Sequence, residues 1–238
     1  MPIYNFCRYI CEKQYTLVLE KHPVKTSDGS STIFVPELNE TYHSTHGALQ
    51  ESLHVFISEG LQYRSDLSQL SILEVGFGTG LNALLTFKKA AAQKKQIQYT
   101  SLEAYPLDWE VVRLLNYNHL MQMESLSSIF EKMHTCAWEL YTEISPFFSL
   151  RKFEAKLQEV RFENEFDLIY FDAFSPGTQP ELWTEEIFAS MYNSLKPGGV
   201  LVTYCAKGTV KRALKSVGFN LQSIPGPPGK REMSRAVK

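Results

Sequence analysis

A glycine-rich turn contains the first residues of this chain whose types and spacing favour chemistry. Glu74, Gly76, Gly78 and Gly80 stand at alternate positions, between a short apolar run and an amphipathic pattern that begins at Leu81. This succession predicts a buried strand, a tight turn and a helix. Because glycine has no side chain, the backbone can bend sharply and bring its N–H groups against a ligand at the helix N-terminus. The stretch predicts a nucleotide-binding corner. The alternative is a turn that only packs the helix on the strand.

Asp172 is the second candidate for chemistry. It directly follows Phe166–Phe171, an apolar run whose composition predicts a strand buried on both faces. In doubly wound sheets the ligand crevice lies at the carboxyl ends of the strands, so Asp172 is expected to face the reacting centre. There it would be the catalytic residue, accepting hydrogen bonds from the substrate and then a proton. Alternatively, Asp172 only caps the turn that follows it.

The spacing of the glycines distinguishes between ligands. A dinucleotide-binding fingerprint has glycine at its first, third and sixth positions, and the sixth position here is Leu81, which weakens a dehydrogenase interpretation. The acidic-x-Gly-x-Gly-x-Gly pattern resembles motif I of the class I S-adenosylmethionine-dependent methyltransferases, and this resemblance implies S-adenosylmethionine as the cofactor. Glu103 supports it. It ends the next predicted strand, 23 residues beyond Gly80, where an acidic side chain can accept both ribose hydroxyls of an adenosine.

The expected cofactor contacts come from the glycine loop, the next strand and one later loop. Trp138 belongs to that later loop, where its ring either stacks on the adenine or packs in the core. The full set is Glu74, Gly76, Phe77, Gly78, Thr79, Gly80, Asn82, Glu103 and Trp138.

The order of the remaining patterns predicts an α/β fold, a Rossmann-like doubly wound sheet of the class I methyltransferase type. Predicted strands and helices alternate after the glycine loop. Near the end, the β-prone runs Phe219–Ile224 and Glu232–Val237 flank a turn rich in proline and glycine. This arrangement predicts that the last strand of the sheet is antiparallel.

An N-terminal extension precedes the predicted nucleotide-binding unit. Tyr15–Glu20 and Ser31–Val35 are β-prone and are expected to pair as a hairpin. Apolar residues recur at helical spacing from Leu49 to Ile57, and this helix is expected to cover the cofactor pocket. We therefore divide the chain into an extension, residues 1–60, and a methyltransferase domain, residues 61–238.

Composition limits the classes of function. The chain has 238 residues, contains no run of about 18 apolar residues and begins without a basic-then-apolar leader, so we expect a cytoplasmic protein without a membrane partner. Its four cysteines are too few and too scattered for a disulfide framework or a four-thiolate zinc site, and we expect them to be reduced. His43, His46 and His54 lack well-spaced carboxylate partners, so no metal site is expected.

The charge is unevenly distributed although the net charge is only −2. Residues 196–238 contain nine Lys and Arg and one acidic residue, whereas residues 1–195 contain 15 basic and 25 acidic residues. A basic C-terminal face on an acidic body is typical of RNA binding, although a solvated surface is an equal alternative. The candidate RNA contacts are Lys207, Lys211, Arg212, Lys230 and Arg231.

Several separated motifs resemble the methyltransferase domain of the MnmC-type tRNA-modifying enzymes. They are residues 74–82, 171–176, 180–183 and 230–233, together with Tyr42-His43-Ser44. The resemblance implies methyl transfer from S-adenosylmethionine to the primary amine of 5-aminomethyl-(2-thio)uridine at the wobble position, with the tRNA anticodon stem-loop as partner. The bifunctional members also have an FAD-dependent oxidase domain, for which no residues remain here. The expectation is therefore the stand-alone MnmD form, with the oxidase activity supplied by a separate protein.

One residue departs from the pattern that the resemblance implies. An aspartate is expected near the adenine amino group, and Lys156 stands in its place. A lysine cannot accept that hydrogen bond. Lys156 is thus the one feature that favours the alternative function, a methyltransferase-like RNA-binding module without turnover.

Overall fold

The computed structural model describes residues 21–120 and 126–238. Its first elements are three short antiparallel strands, β1 (His22–Lys25), β2 (Ser31–Val35) and β3 (Glu40–Thr41), which pair in that order. The turn between β1 and β2 is tight because the Asp28 carboxylate accepts the Ser30 N–H at 2.9 Å. The hairpin partner of β2 is therefore β1. Tyr15–Glu20, the strand predicted for that place, lies outside the described residues.

One long helix follows this small sheet and packs on a larger one. It starts as α1 (Ala48–Ser52) and continues as a π-helix over Leu53–Gln62. The helix predicted from Leu49 to Ile57 is therefore present and extends further. Gly60 allows close packing, since a Cβ there would lie 3.1 Å from the Tyr170 ring.

Within the described residues the larger sheet has eight strands. They are β4 (Gln69–Val75), β5 (Gln96–Glu103), β6 (Thr142–Ser145), β7 (Phe148–Glu154), β8 (Phe166–Phe171), β9 (Leu195–Thr203), β10 (Asn220–Pro225) and β11 (Glu232–Val237). Their order in the sheet is β10-β11-β9-β8-β4-β5-β7-β6. β4 is parallel to β5 and β8, β7 is parallel to β5, and β9 is parallel to β8. β11 is antiparallel to both of its neighbours, β9 and β10. A doubly wound sheet with an antiparallel last strand is thus confirmed.

Helices cover both faces of this sheet. Successive residues of a strand point to opposite faces, so Ile72 packs in one hydrophobic core and Leu73 in the other. All six residues of β8 are buried, as its composition predicts. Within the described ranges no helix is long and apolar enough to cross a membrane. The helices after the π-helix are α2 (Leu81–Gln93), α3 (Trp109–Val112), α4 (Tyr117–Leu120), α5 (Leu126–Thr135), α6 (Glu185–Ser194) and α7 (Gly208–Ser216).

Candidate active site

A cavity of about 670 Å³ opens at the carboxyl ends of β4, β5 and β8. Backbone hydrogen bonds align these ends, because Gly76 N–H donates to Leu102 O at 2.9 Å and Asp172 N–H donates to Val75 O at 3.0 Å. The cavity is lined by the glycine loop, the segment after β2, the ends of β5 and β7, and the loop after β8. It occupies the crevice in which doubly wound sheets bind their ligands.

The glycine loop needs its glycines for two different reasons. Gly76 and Gly78 have φ angles of 90° and 48°, a left-handed conformation that favours glycine. A Cβ would lie 2.8 Å from the Asp172 backbone oxygen at Gly76 and 2.9 Å from the Tyr42 ring at Gly78. The absence of these side chains lets the Asp172 backbone and the Tyr42 ring pack close to the loop. At Gly80 a Cβ would instead meet His134 Nε2 at 2.6 Å, so this glycine allows packing beneath the loop.

Glu103 lies at the cavity edge, at the end of β5. Its carboxylate accepts the Gly78 N–H at 2.8 Å and the Tyr105 N–H at 2.9 Å, so it holds the glycine loop and the following turn in place. Each carboxylate oxygen keeps a further lone pair. Glu103 can therefore still accept hydroxyl groups of a ligand.

The structure separates the predicted cofactor residues into two groups. Glu74, Gly80 and Trp138 are absent from the cavity lining. Glu74 is fully buried, and its carboxyl group accepts a hydrogen bond from Ser101 Oγ at 2.7 Å. It pairs with Tyr170, two residues before Asp172, so it lies further inside the sheet than the strand ends that line the cavity. Trp138 packs against Lys152, whose Nζ lies 4.6 Å from the indole ring centre. The predicted residues that do line the cavity are Gly76, Phe77, Gly78, Thr79, Asn82, Glu103 and Asp172.

The cavity wall also contains residues that sequence reasoning did not assign to the site. Tyr42 packs edge-on against Phe174 with ring centres 5.0 Å apart, and Thr178 Oγ1 donates to Glu40 Oε2 at 2.7 Å. These contacts join the segment around β3 to the loop after β8 along the cavity. Among the described residues, no part of the long helix lines it, in contrast to the cover expected from the sequence. Lys156 does line the cavity.

His43 is another wall residue, and its ring is occupied by structural contacts. His43 Nδ1 lies 3.2 Å from Thr32 Oγ1, and burial lowers the pKa of the imidazole to about 4. In the part of the chain that the structure describes, no group of three or more His, Cys, Asp or Glu side chains is arranged to hold a metal ion.

Asp172 lies on the cavity wall beside the glycine loop. Burial raises the pKa of its carboxyl group to about 7, and the negative charge of Glu51 adds to this effect. A hydrogen bond from Asn82 Nδ2, at 2.8 Å, and the positive charge of Lys230 act in the opposite direction. A carboxyl group with this pKa can hold or release a proton near neutrality, which suits general acid–base catalysis.

Lys230 and Glu51 form an ion pair next to this carboxyl group. Lys230 Nζ lies 2.6 Å from Glu51 Oε1 and 3.9 Å from the centre of the Tyr204 ring. The other Glu51 oxygen accepts the Ser44 N–H at 2.8 Å. Lys230, predicted as an RNA contact, is thus neutralised by a carboxylate and packed on an aromatic ring.

The other predicted RNA contacts differ in their surroundings. Lys211 forms an ion pair with Glu232 at 2.6 Å, whereas Lys207, Arg212 and Arg231 are exposed. All of these exposed residues lie near the carboxyl end of β9, since Lys207 precedes α7 and Arg231 precedes β11. They are therefore on the same edge of the sheet as the cavity.

Comparisons with known proteins agree with this geometry. A family model described as S-adenosyl-L-methionine-dependent methyltransferase matches residues 129–238. Two relatives are named tRNA 5-methylaminomethyl-2-thiouridine biosynthesis bifunctional protein MnmC. The one from Cupriavidus metallidurans is 30% identical over 93% of this chain and 34% of its own length. The one from Cupriavidus necator is 30% identical over 90% of this chain and 34% of its own length. The chain thus spans about a third of the length of these relatives.

A solved structure shows the same fold over most of both chains. The crystal structure of MnmC2 from Aquifex aeolicus matches with a TM-score of 0.75 and 25% sequence identity. The match covers 93% of this chain and 71% of that chain. By sequence and fold, therefore, the chain is an S-adenosylmethionine-dependent methyltransferase that is similar to the MnmC proteins.

Proposed function

We propose that this methyltransferase methylates the primary amine of 5-aminomethyl-(2-thio)uridine at the wobble position of tRNA, giving 5-methylaminomethyl-(2-thio)uridine. The observation that carries the proposal is the Asp172 carboxyl group, which lies on the cavity wall beside the glycine loop and has a pKa of about 7. The names of the Cupriavidus relatives, which refer to biosynthesis of this nucleoside in tRNA, support the substrate.

The cavity residues fit S-adenosylmethionine. Gly76 and Gly78, which line the cavity, would lie against its amino-acid part, and the free lone pairs of Glu103 would accept its ribose hydroxyls. Phe77, Thr79 and Asn82 complete this side of the cavity. When bound, the cofactor supplies a methyl group on a positively charged sulfur.

The chemistry requires a neutral amine with its lone pair directed at that methyl group. A free alkylamine resembles lysine, with a pKa of about 10.4, and is mostly protonated near neutrality. An ordinary aspartate, with a pKa of about 3.9, would be a very poor acceptor of this proton. The raised pKa of Asp172, about 7, makes the mismatch smaller. Asp172 first orients the amine by accepting its hydrogen bond and then accepts its proton.

The tRNA would approach along the edge of the sheet on which the cavity opens. Lys207, Arg212 and Arg231 are exposed there and can contact phosphates, which orients the anticodon stem-loop without reading its sequence. In this arrangement residues 1–60 act as an extension that supplies part of the cavity wall, and residues 61–238 act as the methyltransferase domain. We place this reaction in the cytoplasm.

The test is methylation of defined tRNAs. The protein is incubated with S-adenosylmethionine labelled in its methyl group and with tRNA that carries 5-aminomethyl-2-thiouridine or unmodified uridine at the wobble position. Digestion to nucleosides and mass spectrometry should locate the label on the side-chain amine of the first tRNA only. Label on another nucleoside would overturn the proposal. Absence of label despite tight cofactor and tRNA binding would favour the RNA-binding module instead.

A further inference from the structure

Glu74 has a fully buried carboxyl group, which lies behind the part of the cavity wall that Asp172 and Asn82 form. It is the second-to-last residue of β4 and has 0% exposure. Ser101 Oγ donates to Glu74 Oε2 at 2.7 Å. The other oxygen, Oε1, has no hydrogen-bond partner, although the side chains of Asn82 and Tyr99 adjoin this carboxyl group. Glu74 therefore has an unused polar atom where water is excluded.

Three buried polar atoms around this position lack partners: Glu74 Oε1, Asn82 Oδ1 and Tyr99 Oη. The Asn82 nitrogen is already used, since it donates to Asp172 Oδ2 at 2.8 Å. If Glu74 were ionised, its oxygen and the Asn82 oxygen could only accept, and the Tyr99 hydroxyl would be one donor for two acceptors. A proton on Glu74 supplies the missing donor. Buried polar groups are rarely left unpaired, so this count favours the protonated form.

The electrostatic environment acts in the same direction. Burial is the main reason that the pKa of Glu74 lies well above its ordinary value. The hydrogen bond from Ser101 lowers this pKa, whereas the nearby Asp172 charge raises it further. A second unpaired carboxylate so close to Asp172 would be costly in a medium of low dielectric constant. One neutral acid and one titrating carboxyl group is the arrangement that such a pair favours.

We propose that Glu74 is a neutral carboxylic acid that donates to the Asn82 amide oxygen and so fixes Asn82, whose nitrogen holds Asp172 in place. Glu74 and Asn82 are thereby positioning residues, and of these three residues Asp172 is the one that contacts the substrate amine. The role in turnover rests on the proposed function of Asp172. The protonation state of Glu74 is independent of that function.

Other charged and titratable groups also face Asp172 and must stay constant in any test of pH dependence. They come from helix α1, the middle of β5, the position directly after β9 and the loop before β11. These groups are Glu51, Tyr99, Tyr204 and Lys230.

The first test is carbon NMR on the wild-type protein labelled with 13C at the glutamate carboxyl groups. The Glu74 resonance is assigned by its loss in Glu74→Gln. It should remain at the position of a neutral acid from pH 5 to pH 8. A shift to the carboxylate position at or below pH 7 would overturn the proposal. This measurement needs no tRNA, so its outcome is separate from that of the proposed function.

The second test is the pH dependence of kcat for methylation. Asn82→Ala removes a hydrogen bond that lowers the pKa of Asp172, so the midpoint of the profile should move upward and kcat should fall on the order of 10- to 100-fold, as expected when a reacting group is misplaced. Glu74→Gln, a neutral amide of the same shape, should keep the midpoint in place. A downward shift would show that wild-type Glu74 is ionised and would overturn the proposal.

A matched control comes from the next turn of α2. Thr86 Oγ1 lies 3.3 Å from Tyr170 Oη, in the same buried layer but outside the route from Glu74 to Asp172. Thr86→Val should leave the midpoint of the pH profile in place. If Thr86→Val shifts the midpoint as much as Asn82→Ala does, the effect is a general consequence of perturbing this layer and the positioning role is refuted.

Discussion

Lys230 Nζ lies 2.6 Å from Glu51 Oε1, so the loop before β11 contributes a cation and helix α1 a carboxylate to the surroundings of Asp172. The two charges act on Asp172 with opposite sign: Glu51 raises the pKa of its carboxyl group and Lys230 lowers it. The ion pair therefore tunes the proton affinity of Asp172, the proposed catalytic group.

This relationship predicts opposite shifts for two variants. Lys230→Met removes the cation, so the pKa of Asp172 should rise and the pH midpoint of kcat/KM should move upward. Glu51→Gln removes the anion, so the midpoint should move downward. The pH profile of methylation measures both. Glu59→Gln, which breaks a similar ion pair with Arg235 at 2.9 Å, is the matched control and should shift neither way. Shifts of equal sign in the first two variants would contradict the tuning.

Activity of the wild-type enzyme should rise with pH through about 7. The unprotonated Asp172 accepts the hydrogen bond and the proton, and its pKa of about 7 sets the lower limb of the profile. Asp172→Asn should retain cofactor binding but lose on the order of 10²-fold or more in kcat, within the range for a positioned acid–base group. Single-turnover methylation at saturating cofactor is the measurement. Turnover near the wild-type level would remove Asp172 from the mechanism.

Glu103→Ala should weaken S-adenosylmethionine binding by about 1–3 kcal/mol, the cost of losing a charge-assisted hydrogen bond. Calorimetry measures the affinity directly. Because Glu103 also holds the Gly78 and Tyr105 N–H groups, Glu103→Gln is a useful second variant, since it keeps one acceptor oxygen. It should lose less affinity than the alanine variant. Unaltered affinity in Glu103→Ala would exclude the ribose contact.

Gly78→Ala should weaken cofactor binding through a clash and through strain. Its Cβ would lie 2.9 Å from the Tyr42 ring, and a φ of 48° costs a residue with a side chain on the order of 1 kcal/mol. The double variant Gly78→Ala, Tyr42→Leu removes the ring but not the backbone strain, so it should recover part of the affinity. Calorimetry compares the two, with Tyr42→Leu alone as control. No recovery would place the whole effect in the backbone.

The exposed cations should control the salt dependence of tRNA binding. Neutralising Lys207, Arg212 and Arg231 together should weaken binding and reduce the slope of log K against log salt by about one for each lost phosphate contact. Lys230→Met should change the slope much less, because Lys230 already pairs with Glu51. Lys94→Asn, at the end of α2 on the opposite edge of the sheet, is a control for Lys230→Met, since each variant removes one positive charge. An unchanged slope in the triple variant would place the tRNA elsewhere.

Local patterns were sufficient to predict the parts of the site that one stretch of chain builds. The glycine loop, its flanking strand and helix, and the positions of Glu103 and Asp172 at strand ends all follow from short-range periodicity and from the geometry of parallel sheets. Glu74 belongs to the same motif, yet it does not line the cavity, because it pairs with Tyr170 inside the sheet, two residues before Asp172.

Contacts between distant stretches were beyond sequence reasoning. The contact between Tyr42 and Phe174 brings the segment after β3 against the loop after β8. The Glu51–Lys230 ion pair brings helix α1 against the loop before β11. No spacing in the sequence predicts how these distant segments pack. Trp138 is an intermediate case. Its ring was expected to meet either the adenine or the core, and it packs on Lys152, a buried lysine that the sequence does not reveal as buried.

The bond between Lys230 and Glu51 joins residues separated by 179 positions along the chain. On the ribosome, Glu51 and Asp172 are both synthesised before Lys230. Until the loop before β11 docks, these two carboxylates therefore lack their shared cation. Proteins with many contacts between residues far apart in sequence fold slowly, because the entropy of closing a long loop is lost before those contacts can stabilise the chain. The cation that lowers the pKa of Asp172 thus comes from one of the last segments to be synthesised, and a nascent chain that stops short of residue 230 lacks it.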